Sequence, residues 1–321
     1  EMYNFIIPRF WGGHSSQLYA GDAVPQVKGR VIPGYWGHMP FTSTTDYLGV
    51  TVVFFALLGI ALGWRRNDVK TLTALMGFSL LLAFGRHFPF LYRIFFEWVP
   101  FFDKFRVPTM IVVLVMFSGA ALAGIGLQQL LTRLKEDDEK KLLAVVAVVF
   151  GVLLLLGVAP LLLKNSISFL RPEEARSYDM ETIKLLKLIR FDLLRGDALR
   201  MLGFLTAAFA AVVAYLRKFL PRSLFAGLIV VLLLADLLPI CRRYMSQLVS
   251  KSQMDSHFLE TDLDRFLRQD PEPHRIFPLG ELSGDAHWSY FHQSVEGYHP
   301  AKLRIYQDLR RGWRVTSPNL E

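Results

Sequence analysis

Four cations bracket one short aromatic stretch of this chain. Arg86, Arg93, Lys104 and Arg106 flank or interrupt Pro89-Phe90-Leu91-Tyr92 and Phe95-Phe96-Glu97-Trp98. A guanidinium fork matches two phosphate oxygens at once, so cations gathered on one short element point to phosphate binding. Arg106 is the best placed of them. It precedes Val107-Pro108, and a proline in the first turn opens a helix, which sets Arg106 at the helix mouth. Arg93 and Lys104 are better accounted for by long side chains reaching up to lipid headgroups. A second group lies in 1–46, where Gly12-Gly13-His14 and Tyr35-Trp36-Gly37-His38 recur among prolines and aromatics. An aromatic belt at a membrane surface explains Tyr47 and extends to Tyr35, but explains the Gly-Gly-His and Trp-Gly-His clusters less well. Glycine there lets backbone approach a ligand closely, which makes His14, Tyr35, Trp36 and His38 candidate binding residues. Asp236 is a third candidate, with Arg242 and Arg243 as its nearest ion-pair partners in sequence. His299 beside Pro300 reads as structural. No zinc, P-loop or dinucleotide pattern appears, and Gly119, Gly124 and Gly126 read as close helix packing.

The elements that must position these residues are six apolar runs, at 47–64, 69–85, 107–131, 142–163, 198–216 and 223–240. Each is long enough to cross about 30 Å of hydrocarbon as a helix. Hydrocarbon offers no water to backbone N–H and C=O groups, so uncharged runs of this length must be helical. The fold class is therefore mainly α, a polytopic membrane bundle of about six transmembrane helices. The start of an extracytoplasmic α/β domain follows it.

Charge gives the orientation. The loops 64–71, 132–141 and 217–222 hold 10 of the 36 Lys and Arg in 24 positions. Basic residues in short loops mark the cytoplasmic side. The segments 1–46, 86–106, 164–197 and 241–321 then all face outward. The same loops carry 10 basic against 5 acidic residues, which is +5 of the chain's net +8. The positive charge is thus topological, and nucleic acid is set aside as a partner. One cysteine, Cys241, allows no intrachain disulfide.

Three divisions follow: a Gly/Pro/aromatic loop segment over 1–46, the bundle over 47–240, and a partial soluble domain over 241–321. Within the bundle range, 86–106 is too short and charged to span and lies in the interface. In 164–197, Glu181 to Arg195 has helical spacing with Lys and Arg interleaved, the pattern of a helix lying on the membrane surface. In the tail, Leu259–Leu267 reads as a helix, His274–Leu279 as a strand, and Gly297–Leu309 as a turn leading into a helix.

Several of these stretches together resemble the bacterial membrane-protein family called YfhO. They are Phe10-Trp11-Gly12-Gly13, Tyr35 through Ser43, Phe102 through Pro108, Asp236-Leu237 with Arg243-Tyr244, and Gly297 through Leu303. The family is similar to glycosyltransferases of the GT-C class, which take a sugar from a polyprenyl-phosphate carrier on the outer face. The resemblance implies a transferase in the bacterial cytoplasmic membrane, with a cell-envelope acceptor and membrane lipid as partners. Arg106, Arg86 and Lys104 would bind phosphate, while Tyr35, Trp36, His38 and His14 would line the sugar pocket. No cofactor is required, and a divalent cation is compatible with the pattern. The alternative is a non-enzymatic transporter or flippase of lipid-linked sugars. Relatives are expected to carry an acid where this chain has His38, so no acid–base or metal role is assigned there. The resemblance also implies the C-terminal portion of a longer protein, with the catalytic base in an earlier outer loop.

Overall fold

The computed structural model describes residues 2–15, 18–20, 31–39, 46–102, 108–133, 139–245, 249–270, 272, 274–276, 286–294, 304, 305 and 308; for 18–20, 31, 32, 86, 108 and 133 it describes backbone alone. The chain divides into two units, 1–84 with 109–246, and 85–108 with 247–321.

All six apolar runs are helical, and the first unit contains them. They form α1 (Val50–Gly63), α2 (Asn67–Ala83), α4 (Val112–Arg133), α5 (Glu139–Leu162), α7 (Met180–Leu216) and α8 (Arg222–Met245). Among the described residues, four helices are long and apolar enough to cross a membrane: Thr109–Thr132 (α4 with the 3-10 turn before it), α5, α7 and α8. α1, at 14 residues, is shorter than its run suggests, whereas α2, at 17, is as long as its run but begins two residues earlier. α1 begins late because Gly49 takes φ +95°, and a Cβ there would lie 3.0 Å from Leu237 Cδ2. Apolarity alone could not locate that break.

α1 packs most extensively against α4, and two glycines allow it. A Cβ on Gly59 would strike the Leu122 carbonyl oxygen, and one on Gly126 would strike that of Phe55. Gly119 receives Leu48, 2.7 Å from the position its Cβ would take, whereas Gly124 faces open space. Two of the three α4 glycines therefore serve close packing, as expected, and the third does not. These contacts run in register from Leu48–Gly119 to Gly63–Ile125, so α1 and α4 are parallel. At the end where they finish, Arg217 meets Glu139 at 3.3 Å and Tyr215 stacks on Phe225 at 4.5 Å.

The largest departure from the sequence reading is α7. The surface helix expected within 164–197 and the span expected at 198–216 are one helix of 37 residues. It is about 55 Å long, nearly twice a hydrocarbon core. Asp179 caps it, accepting from the Glu181 and Thr182 amides at 3.2 and 3.3 Å. Composition changes at Ala198, but nothing there breaks the backbone. Its buried positions Leu186, Arg190, Leu194, Asp197, Met201, Leu205 and Ala208 recur every three or four residues. That stripe packs on protein from Leu186 onward, so the expected surface helix and the expected span share one continuous buried face. The loop segment at the start of the chain also gains regular structure, a 3-10 turn at Met2–Phe5 and a hairpin of β1 (Leu18–Ala20) with β2 (Val31–Pro33).

The second unit holds α3 (Pro89–Trp98), α9 (Lys251–His257), α10 (Asp262–Leu267) and α11 (Ala286–Phe291), while the four-residue α6 (Glu174–Ser177) belongs to the first. The helix expected over 259–267 is α10. Of the expected strand at 274–279, the described residues show one isolated parallel bridge, Ile276 with Ser294. No α/β domain is built among the described residues of this tail, which contribute short helices instead. The expected helix at 297–309 falls mostly outside them.

Candidate functional site

At the end of the bundle where α7 begins and α8 finishes, the two glycine-rich clusters of the N-terminal segment come together. Gly12, at φ +83°, lies so close to Gly34 that a Cβ would overlap its carbonyl. The Trp36 amide donates to the Trp11 carbonyl at 3.0 Å. The rings follow the backbone: Trp11 and Trp36 lie 4.2 Å apart, Phe10 is 5.3 Å from Trp11, and Phe169 is 5.3 Å from Trp36. His38 is exposed 6.0 Å from Trp11. The indole N–H groups of Trp11 and Trp36 and Oδ1 of Asn4 are buried with no hydrogen-bond partner among the described residues. Buried polar atoms are nearly always paired, so unpaired donors on two adjoining indoles, one of them (Trp36) in the core at 5% exposure, set this cluster apart.

Tyr35 is buried, its hydroxyl accepting from the Met39 amide at 3.0 Å and its ring lying 5.0 Å beneath the Arg171 guanidinium. It positions the loop rather than presenting a hydroxyl. His14 is buried against Tyr244 of α8, 5.8 Å between rings, and burial lowers its pKa. Four of the seven residues proposed from sequence thus share one end of the first unit. Arg106 and Lys104 lie outside the described residues, as does the side chain of Arg86.

Sequence reasoning missed the residues that hold this surface in place. Arg190 is fully buried in α7. It donates to the carbonyls of Gly34 (3.2 Å), Phe169 (2.8 Å), Pro33 (3.2 Å) and Tyr35 (3.4 Å), and to both oxygens of Glu174 at 2.7 Å. A five-donor fork is the one side chain that can gather so many acceptors. Burial disfavours the Glu174 carboxylate, but the Arg190 hydrogen bonds and the Arg171 amide outweigh it and hold its pKa below the ordinary 4.5. Within Glu181–Arg195 the sequence offers nothing to separate Arg190 from its exposed neighbours. Only its place in the 3–4 stripe singles it out.

Two aspartates organise the adjoining helix ends. Asp197 accepts from Arg9 through the amide (3.1 Å), Nε (2.9 Å) and Nη2 (2.8 Å), and from Arg243 Nη1 at 3.3 Å. Asp236 accepts from the Tyr47 hydroxyl at 2.6 Å and lies 3.9 Å from Arg200. The ion pair expected between Asp236 and Arg242 or Arg243 is therefore corrected: Arg243 belongs to Asp197, one helix away. Pro239 explains Arg200. Without an N–H it leaves the Ala235 carbonyl unbonded inside α8. Arg200 donates there at 3.1 Å and to the Asp236 carbonyl at 2.5 Å.

In the second unit, Asp264 is the hub. Its carboxylate accepts from the Thr261 amide (2.8 Å) and hydroxyl (2.6 Å), with His287 Nε2 at 3.1 Å and His292 Nε2 at 2.9 Å. Burial opposes its charge, yet these bonds hold its pKa far below the usual carboxylate range. His287 Nδ1 faces the His257 carbonyl at 2.8 Å, so the ring makes both bonds when both nitrogens carry protons. Among the described residues no group of three or more His, Cys, Asp or Glu is arranged to hold a metal ion.

The described residues define a helical protein with four membrane-length helices and an aromatic and arginine-rich cluster gathered at one end of the bundle. Among protein families, characterised proteins and solved structures, none matches the chain.

Proposed function

We propose that this chain is part of a YfhO-like, GT-C-type membrane glycosyltransferase of the bacterial cytoplasmic membrane, with its C-terminal tail outside. It moves a sugar from a polyprenyl-phosphate carrier to an acceptor in the cell envelope. One observation carries the reading: Trp11, Trp36 and His38 meet with two unpaired buried indole donors at the end of the bundle that takes the long connections. Indole faces suit the C–H surface of a sugar ring, and indole N–H groups suit its oxygens. Several stretches carrying the family resemblance (Phe10–Gly13, Tyr35–His38, Asp236 and Arg243-Tyr244) surround this one surface. In such a transfer a base activates the acceptor hydroxyl and cations stabilise the departing lipid phosphate. Arg106, with Arg86 and Lys104, is assigned to phosphate; His14 and Tyr35 shape the pocket from behind.

The test is transfer of radiolabelled sugar from a polyprenyl-phosphate donor by the full-length protein in proteoliposomes. Arg106→Lys keeps the charge, loses the bidentate fork, and should lose most of the activity. Wild-type turnover in that variant removes Arg106 from the phosphate. No transfer from any polyprenyl-phosphate sugar overturns the enzyme reading. A transporter of lipid-linked sugars is the second reading. It is favoured by Asp236, fully buried within α8 and tied across to Tyr47, since ionisable groups inside spans commonly mark transport paths. Translocation of a fluorescent lipid-linked sugar without transfer would select it.

A further inference from the structure

We infer that the sugar docked on the Trp11–Trp36 surface carries a carboxylate, and that Arg171 is the residue that selects it. That a sugar docks there rests on the reading above; its charge is a separate matter. Arg171 follows Phe169, whose ring lies against Trp36, by two residues. Its guanidinium stands 5.0 Å over the ring of Tyr35, the chain neighbour of Trp36. Its Nε is buried without a hydrogen-bond partner, and its side chain donates to no acceptor among the described residues. The carboxylate at hand, Glu174, is already taken. Both its oxygens accept from Arg190 at 2.7 Å, and one of them also accepts from the Arg171 amide at 2.9 Å. Two guanidiniums thus share one carboxylate, and a positive charge is left over in a half-buried place. Holding an unmatched charge away from water is costly, and a bound anion removes that cost.

Chemistry and level decide which anion. Tyr35 is buried and its hydroxyl is tied to the Met39 amide, so the ring under the guanidinium is itself held in place. A cation resting on an aromatic face keeps its N–H edges free for a ligand. Those edges pair with a planar carboxylate through two parallel hydrogen bonds. Trp11 and Trp36 meanwhile offer indole N–H groups, which suit neutral oxygens. A ligand that uses both is a pyranose with hydroxyls at the indoles and an exocyclic carboxylate at Arg171. The phosphate of a lipid carrier fits less well by position. Arg190, which holds Glu174, stands ten residues before Arg200, the last charged residue ahead of the uncharged Met201–Leu216. Ten residues are about 15 Å of helix. On the membrane reading, Arg171 therefore lies on the water side of the site, beyond a phosphate whose alkyl chain is in lipid.

The test is equilibrium binding to the full-length protein in detergent micelles. The ligands are one polyprenyl phosphate carrying glucuronate, its neutral glucuronamide, or glucose, with the bare polyprenyl phosphate beside them. The carrier is common to all four, so differences report the sugar alone. The glucuronate form should bind about tenfold more tightly than the glucuronamide form, the size of a charge-assisted pair. Arg171→Gln should bring the two to within roughly twofold, and Arg171→Lys, which keeps the charge but not the fork, should retain part of the preference. Both variants should bind bare polyprenyl phosphate as the wild type does. Thermal unfolding checks the fold; if Arg171→Gln does not fold, a reduced preference in Arg171→Lys decides. Equal binding of acid and amide by the wild type overturns the acidic-sugar assignment. So does a full preference in the folded variants. A loss of bare polyprenyl phosphate binding as large as that of the glucuronate form would put Arg171 on the carrier and overturn it too. Failure of the underlying sugar reading has a different signature: no sugar improves on the bare carrier, and Trp36→Phe changes none of the four affinities. The acidic-sugar assignment falls with it.

Discussion

At the scale of single residues, Arg190 is the most informative side chain. A buried guanidinium is tolerable only when its donors are matched and its charge is met, and here Glu174 does the second while four carbonyls do the first. Glu174→Gln keeps an acceptor but leaves the charge uncompensated. It should cost on the order of 3 kcal/mol, read as a lowered unfolding midpoint. The double variant Glu174→Gln with Arg190→Met should not recover that loss, because it strands carbonyls worth about 1 to 3 kcal/mol apiece when buried. The pH dependence has a definite sign. The folded-state pKa of Glu174 lies below 4.5, so its contribution is complete above that value and is lost as pH falls through the lowered one. The stability gap between wild type and Glu174→Gln should therefore be constant at neutral pH and narrow in acid. None of this was legible in the sequence, where Arg190 is one of several cations in an amphipathic stretch. By contrast, His14, Tyr35, Trp36 and His38 could be singled out because glycine beside aromatic residues is unusual at a plain membrane belt.

At the scale of elements, the apolar runs were readable because backbone in hydrocarbon has so few options. Their junctions were not. Gly49 shortened the first helix through its conformation, and α7 ignored the change of composition at Ala198 because helical hydrogen bonding continues through any residue that does not break it. The α1–α4 crossing offers a sharp test. Gly126→Ala forces a methyl into the Phe55 carbonyl and must push the helices apart, lowering the unfolding midpoint by several degrees. Gly124→Ala, in open space, should be neutral or stabilising by up to about 1 kcal/mol, since alanine is the better helix former. Equal effects from the two substitutions would contradict the parallel close crossing.

For the whole molecule, the prediction is sidedness. With Cys241 replaced by serine, single cysteines at Lys140 and Arg176 should react with an impermeant thiol reagent from opposite faces of the membrane. Labelling of both from one face would break the alternation of short basic and long outer connections. That alternation was visible because it depends only on run lengths and on where Lys and Arg fall. The gathering of Trp11, Trp36, Arg9, Asp197 and Arg243 at one end was not visible, because it depends on which helices neighbour which. Periodicity within a helix carries no such information.

The length of α7 has a mechanical consequence. It is one continuous helix, a sixteen-residue apolar end preceded by about 20 residues, some 30 Å long; on the membrane reading proposed above, the apolar end lies in lipid and the rest stands beyond it as an arm. Helices answer a change in bilayer thickness by tilting. A tilt of about 10° at the embedded end would swing the tip of such an arm by roughly 5 Å. Arg190 sits on that arm and grips residues 33–35, so the aromatic surface travels with the lever. On that reading, the thickness of the surrounding bilayer would be geared to the spacing of groups that lie outside it.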